Sequence, residues 1–188
     1  MKPEQPSRIP TDPAHRFPWY VRLFLANQRR RYGKELEPAR LWARTPKVFA
    51  TLSLLYGALD RRGSPIEPGL RSLLTVRVSQ INWCAFCVDI NSATGLKRGV
   101  SEGQFAALEQ FETSALFDER QKAALAYAEA MTRTDAGVDD GLMARLKSHF
   151  DDDSVIELTA IIAFQNMSSK FNAALDVAPE GFCRMPQK

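Results

Sequence analysis

Histidine is the scarcest functional group of this chain: His15 and His149 are its only two. Cysteine is nearly as rare, at three, an odd number and too few for a secreted scaffold held by disulfides. Glycine is sparse, and alternating strand-like runs closed by hairpin dipeptides are missing, which argues against a β fold. No window approaches the roughly 18 uninterrupted apolar residues of a membrane-spanning helix. The start, Met1-Lys2-Pro3-Glu4-Gln5-Pro6, lacks the apolar core of a secretory signal. The expected location is therefore the cytoplasm, with no membrane partner.

What is present fits one domain of ordinary size. The chain has 188 residues, 45% of them hydrophobic and 25% charged, enough to bury a core without disulfides. Residues 1–18 hold five of the eleven prolines. Proline lacks an amide donor and fixes φ, so this segment reads as an extended arm. Residues 19–188 read as a single all-α domain of about seven or eight helices. The first runs from Trp19 to about Gly33, the second from Pro46 to Arg62, and the third from Pro68 towards Gln80. A fourth starts near Asn82 or Trp83 and ends at Gly99. Ser101 with Gln104, and Asp118 with Gln121, have the spacing of capping boxes and open two more helices. Leu142, Leu146 and Phe150 mark a short one. The run Asp151-Asp152-Asp153 complements the dipole at the start of a long final helix, a structural reason for three adjacent acids before any metal-binding one.

Charge is divided unevenly. Residues 1–100 carry 17 Lys+Arg against 7 Asp+Glu, and residues 101–188 carry 8 against 15. A basic half raises the question of nucleic acid. The densest basic run, Arg29-Arg30-Arg31, lies in an amphipathic stretch, and no zinc-finger or RNP-like motif accompanies it. Complementary faces of packed subunits explain the division better, so a nucleic-acid partner is not expected.

Cys84 and Cys87 form a CxxC at the start of the fourth helix. The i,i+3 spacing puts both sulfurs on one face. A helix N-terminus lowers a thiol pKa and favours the thiolate, the nucleophilic form. Zinc would need two more ligands; Cys183 is remote and neither histidine has ligand spacing, so no metal is expected. Asn91 lies one turn beyond Cys87 on the same face. Trp83 and Phe86 flank the pair and read as core or interface. Arg77, on the preceding helix, reads as half of a structural ion pair. Cys183 has no assigned role.

The stretch from Leu73 to Ala93, centred on Asn82-Trp83-Cys84-Ala85-Phe86-Cys87, resembles the core of the carboxymuconolactone decarboxylase and alkylhydroperoxidase D-like (AhpD-like) superfamily. The likeness continues through Gly99-Val100-Ser101, residues 116–128, Val155–Thr159 and Ala163–Asn166. It implies an AhpD-like helical bundle that assembles as a homo-oligomer. In the peroxidase branch it implies Cys87 as the peroxide-attacking thiol and Cys84 as the resolving one. A dithiol of lipoyl or thioredoxin-like kind would restore the pair, and a small hydroperoxide or a disulfide would be the substrate, with no flavin, nicotinamide or other cofactor. That branch also implies a Glu twelve residues before the first Cys and a His four after the second. Here those positions are Ser72 and Asn91, which cannot move a proton near neutral pH. Asn91 could still donate a hydrogen bond to a Cys87 thiolate. Asp89 lies about 200° round the helix from Cys87, and Glu67 lies off the face of Ser72. Two other readings stay open: a helical binding or assembly protein with a redox-responsive thiol pair, and a decarboxylase-like enzyme acting on a small lactone or carbonyl compound.

Overall fold

The computed structural model describes residues 7–183 apart from 11 and 13, and every regular element among them is helical. There are nine α-helices in chain order: α1 (Trp19–Tyr32), α2 (Glu37–Ala43), α3 (Pro46–Leu59), α4 (Pro68–Ile81), α5 (Ala85–Lys97), α6 (Glu102–Ala106), α7 (Glu119–Thr132), α8 (Asp140–Lys147) and α9 (Asp152–Ala174). A short 3₁₀ turn covers Leu108–Gln110. The all-α fold class holds. The extra helix, α2, has no sequence signal beyond Pro38 in its first turn, and its seven residues are too few for periodicity to show.

Local chemistry sets the boundaries. Gly33 takes φ 77° and returns its N–H to Arg29, closing α1 in the left-handed cap that glycine alone adopts without strain. Both capping boxes form, at Ser101/Gln104 and Asp118/Gln121. Asp151 accepts the Ser154 N–H at 2.8 Å and opens α9, so the first acid of the triplet caps the helix and the next two occupy its first turn. α3 stops at Leu59, short of the expected Arg62; beyond it Asp60 pairs with Arg98, and Arg61 pairs with Glu157 at the surface.

α4 is the axis of the bundle. It packs on α5, α7 and α9, and both apolar and polar residues along it are buried. A helix buried on nearly every side needs its polar groups paired. Arg77 Nε donates to Glu129 at 2.5 Å, and Arg77 Nη1 donates to Gln80 at 3.0 Å, the structural ion pair expected. α5 lies close against α4 because Gly95 has no side chain: a Cβ there would sit 2.5 Å from Phe105 Cζ and 2.9 Å from Ser72 Cβ.

The core has two parts. A mostly aliphatic cluster, including Leu73, Leu74, Leu125, Leu146, Leu158 and Ile162, joins α4, α7, α8 and α9. A second cluster joins α1, α2, α3 and the first turn of α5, and it contains Cys84, Phe86 and Cys87. The described residues of the proline-rich arm hold no helix, and the Arg8 N–H donates to Leu175 O at 2.9 Å, so the arm lies along the end of α9. Its residues 1–6, 11 and 13 fall outside the described set. Among the described residues no helix is long and apolar enough to cross a membrane.

Candidate functional site

The turn from α4 into α5 builds the thiol pair. Asn82 caps α4, and Trp83 then takes φ 57°, a left-handed conformation that costs an ordinary residue about 1–2 kcal/mol. Cys84 is therefore the N-cap of α5, and the helix proper begins at Ala85, two or three residues later than the expected Asn82 or Trp83. The Cys87 N–H donates to Cys84 Sγ at 3.2 Å, the bond a serine oxygen makes in an ordinary cap. The two sulfurs are disulfide-bonded, with Cα atoms 5.3 Å apart, inside the usual range. The flanking aromatics part company. Phe86 is buried, but Trp83 is 89% exposed and so is not core: the left-handed turn swings it outward.

Cys87 and Cys84 are both buried but face different surroundings. Cys87 lines a cavity of about 310 Å³ between α1, α2, α3, α5 and α9, and Cys84 does not. Asn172, on α9, donates Nδ2–H to Cys87 Sγ at 3.3 Å. The hydrogen bond to this sulfur thus comes from Asn172. Asn91 makes none to either sulfur among the described residues, although it lines the same cavity. A smaller hollow of about 40 Å³, with room for little more than a water, adjoins it. Ser72, Asn91 and Asp60 line this hollow, and Tyr56, Asn91, Thr94, Phe164 and Gln165 belong to both. All four residues expected at the site therefore cluster there: the cysteines as a bonded pair, Asn91 in the cavity wall, and Ser72 in the adjoining hollow.

Among the described residues, no titrating side chain hydrogen-bonds either sulfur. Ser72 donates to Pro68 O at 3.1 Å and accepts from Arg98 at 3.5 Å. Asp60 accepts both contacts of the Arg98 Nη2 group, at 2.9 and 2.7 Å, and is held as half of an ion pair. Tyr56, partly exposed at the junction of the two hollows, has its phenol pushed up by desolvation and then by Asp60, so it stays protonated at neutral pH. Glu67 pairs with Arg120 at 2.7 Å. Asp89 points away from the sulfurs and accepts the backbone N–H groups of Glu180, Phe182 and Cys183 at 2.9, 3.0 and 2.6 Å. His149 is exposed at the end of α8, within the field of Glu119, and lines neither hollow. His15 stacks on Phe17 beside Arg40 and Arg44.

Asn172 is the site residue that sequence reading misses. Its signal was a polar stripe on an apolar helix: Gln165, Ser169 and Asn172, at i, i+4 and i+7, are all buried. The stripe locks α9 to the thiol turn. Gln165 donates to Ser79 at 2.9 Å, while Asn82 donates to both Ser169 and Asn166 at 2.9 Å. Asn172 Oδ1 is buried with no hydrogen-bond partner among the described residues.

A profile of the carboxymuconolactone decarboxylase family matches residues 46–130, from α3 into α7. The uncharacterized protein YnjA of Escherichia coli K12 is 41% identical over 176 residues, 94% of this chain and 97% of that one. An alkylhydroperoxidase AhpD-core protein from Ralstonia eutropha JMP134, described as peroxidase-related and uncharacterized, superposes with TM-score 0.85 at 21% identity, covering 98% of this chain and 100% of the other. The debrominase Bmp8 superposes with TM-score 0.76 at 22% identity, covering 87% of this chain and 88% of the other. The last two likenesses establish the fold, which is AhpD-like. By its match to the family profile and its near full-length similarity to YnjA, the chain belongs to the carboxymuconolactone decarboxylase family.

Proposed function

We propose that the protein is a thiol-dependent oxidoreductase that reduces an organic peroxide through Cys87. One observation carries this reading: of two bonded sulfurs, only Cys87 opens onto a cavity large enough for a small molecule. In the reduced enzyme the Cys87 thiolate attacks the terminal peroxide oxygen. The O–O bond breaks, the alkoxide takes a proton from water, and Cys87 becomes a sulfenic acid. Cys84 displaces hydroxide, released as water, and the disulfide forms. An external dithiol of lipoyl or thioredoxin-like kind supplies the two electrons that restore both thiols.

The surroundings of each sulfur suit its part. Asn172 stabilises the Cys87 thiolate by a hydrogen bond that requires no proton transfer. The helix N-terminus and the Cys87 N–H stabilise Cys84, which helps it leave when a reductant attacks Cys87. Water in the smaller hollow is the proton source this reading requires, since Ser72 and Asn91 cannot supply one. α3 buries only Phe49, and Leu54, Leu55 and Tyr56 stand exposed along it. An apolar face of that kind fits assembly with further copies of the chain.

Stoichiometric hydroperoxide added to the reduced protein should remove two thiols per chain. Cys87→Ser should abolish that loss while leaving Cys183 titratable. Retention of all thiols in the wild-type protein would overturn the proposal and favour a binding or assembly role for the scaffold.

A further inference from the structure

We infer that the Cys87 cavity selects a small organic molecule with a flat, aromatic body and one anionic group, the anion seated at Arg31. The turnover of such a molecule rests on the thiol reading above; its binding does not.

Size comes first. A cavity of about 310 Å³ is on the order of ten water volumes, far more than hydrogen peroxide fills. It lies at the lower end of the range of about 300–1,000 Å³ that holds small organic ligands. Its walls are aromatic: Phe24, Trp42, Phe49, Phe86 and Phe164 all line it. Three of these rings are fixed by their neighbours. Phe24 and Phe49 meet edge to face at 4.9 Å, and Trp42 stacks on Phe171 at 3.7 Å. Fixed flat walls favour a flat guest over a flexible chain.

Charge comes second. Arg31 is the one charged residue in the cavity lining, and no carboxylate lines it. Three neighbouring basic groups are already matched: Arg29 and Arg40 both bond Glu35, and Lys34 pairs with Glu180; Arg22, Arg30 and Arg44 do not line the cavity. Arg31 makes no ion pair or hydrogen bond among the described residues; its guanidinium lies 5.5 Å from the Tyr32 ring centroid. A cation beside an apolar cavity without a carboxylate partner favours an anion. At the Cys87 end, the unpartnered Asn172 Oδ1 can accept a hydrogen bond from a donor on the guest, such as a hydroperoxide O–H. The two recognition groups therefore suit a carboxylate at one end and a hydroperoxide at the other.

Calorimetric titration of the oxidised protein, in which Cys87 cannot react, tests the recognition alone. 2-Naphthoate should bind about tenfold more tightly than uncharged 2-naphthamide, the worth of one charged hydrogen bond. Arg31→Gln should erase that difference and leave amide binding unchanged, with an unaltered melting temperature as the folding control. Equal affinities, a preference that survives in Arg31→Gln, or no binding of either probe would overturn the inference. An Arg31-dependent preference in a protein that loses no thiols to peroxide would keep the substrate class and remove the peroxide chemistry.

Discussion

The two halves of the core are built for different ends. The cluster around α4, α7 and α9 is mostly aliphatic, with five aromatic rings among its buried members, and it is enclosed and filled by side chains such as Leu74, Leu125 and Leu158. The cluster under α1 and α2 is richer in aromatic and sulfur groups and surrounds an opening. Close packing of the first supplies rigidity, and incomplete packing of the second leaves space for a guest. α5 joins them, with Gly95 pressed on Ser72 and Phe105 at one end and the thiols at the other. The family profile stops at residue 130, so it covers the thiols but not the α1–α2 wall or Asn172. The thiol pair lies in the matched segment, and much of the cavity wall lies outside it.

Truncation on the two sides should give the largest contrast. Leu158→Ala, fully enclosed in the aliphatic cluster, should cost about 2–5 kcal/mol by urea denaturation. Leu52→Ala, in the half-open cavity wall, should cost under about 1 kcal/mol, because much of its neighbourhood is already empty. Equal losses would break the comparison. Next in size is Asp89→Ala, which strips one carboxylate from three backbone N–H groups and should cost about 2–3 kcal/mol, with faster alkylation of Cys183 as a second readout.

Asn172→Leu should separate stability from chemistry. It removes the buried amide oxygen that has no partner, so stability should change by less than about 1 kcal/mol. Loss of the hydrogen bond to sulfur should slow alkylation of reduced Cys87 by iodoacetamide roughly tenfold at neutral pH and move its pH profile upward. The smallest effect belongs to the surface. The Arg61 hydrogen bond, ahead of opposing desolvation, holds the Glu157 carboxyl below its ordinary 4.5. A depressed carboxylate contributes above the unfolded value and loses that contribution as pH falls through the lower folded one. Arg61→Gln should therefore cost under about 1 kcal/mol at neutral pH and nothing in strong acid, as read by melting temperature against pH.

The helical class, both capping boxes, the Asp151 cap and the thiol pair were legible because each depends on neighbours within a turn or so in the chain. Ser72 and Asn91 were singled out through resemblance, and they line one small hollow, from which Asn91 also reaches the cavity. Asn172 was not, because it reaches Cys87 from 85 positions away, and only the tertiary meeting of α5 and α9 reveals the pair. Trp83 divides the reading of core or interface: the backbone before the Cys84 cap turns it out, which removes the core and leaves it on the surface where an interface would lie. α2 was hidden by its own brevity.

The clasp made by Asp89 turns the third cysteine into an instrument. Because the Cys183 N–H is bound to the thiol helix, a fluorescent or spin label attached at Cys183 would sit on the same rigid body as the reactive pair. Opening of that helix on reduction, on loading with a guest, or in any variant described above would register at a residue outside the Cys84–Cys87 pair, and would need no engineered probe site.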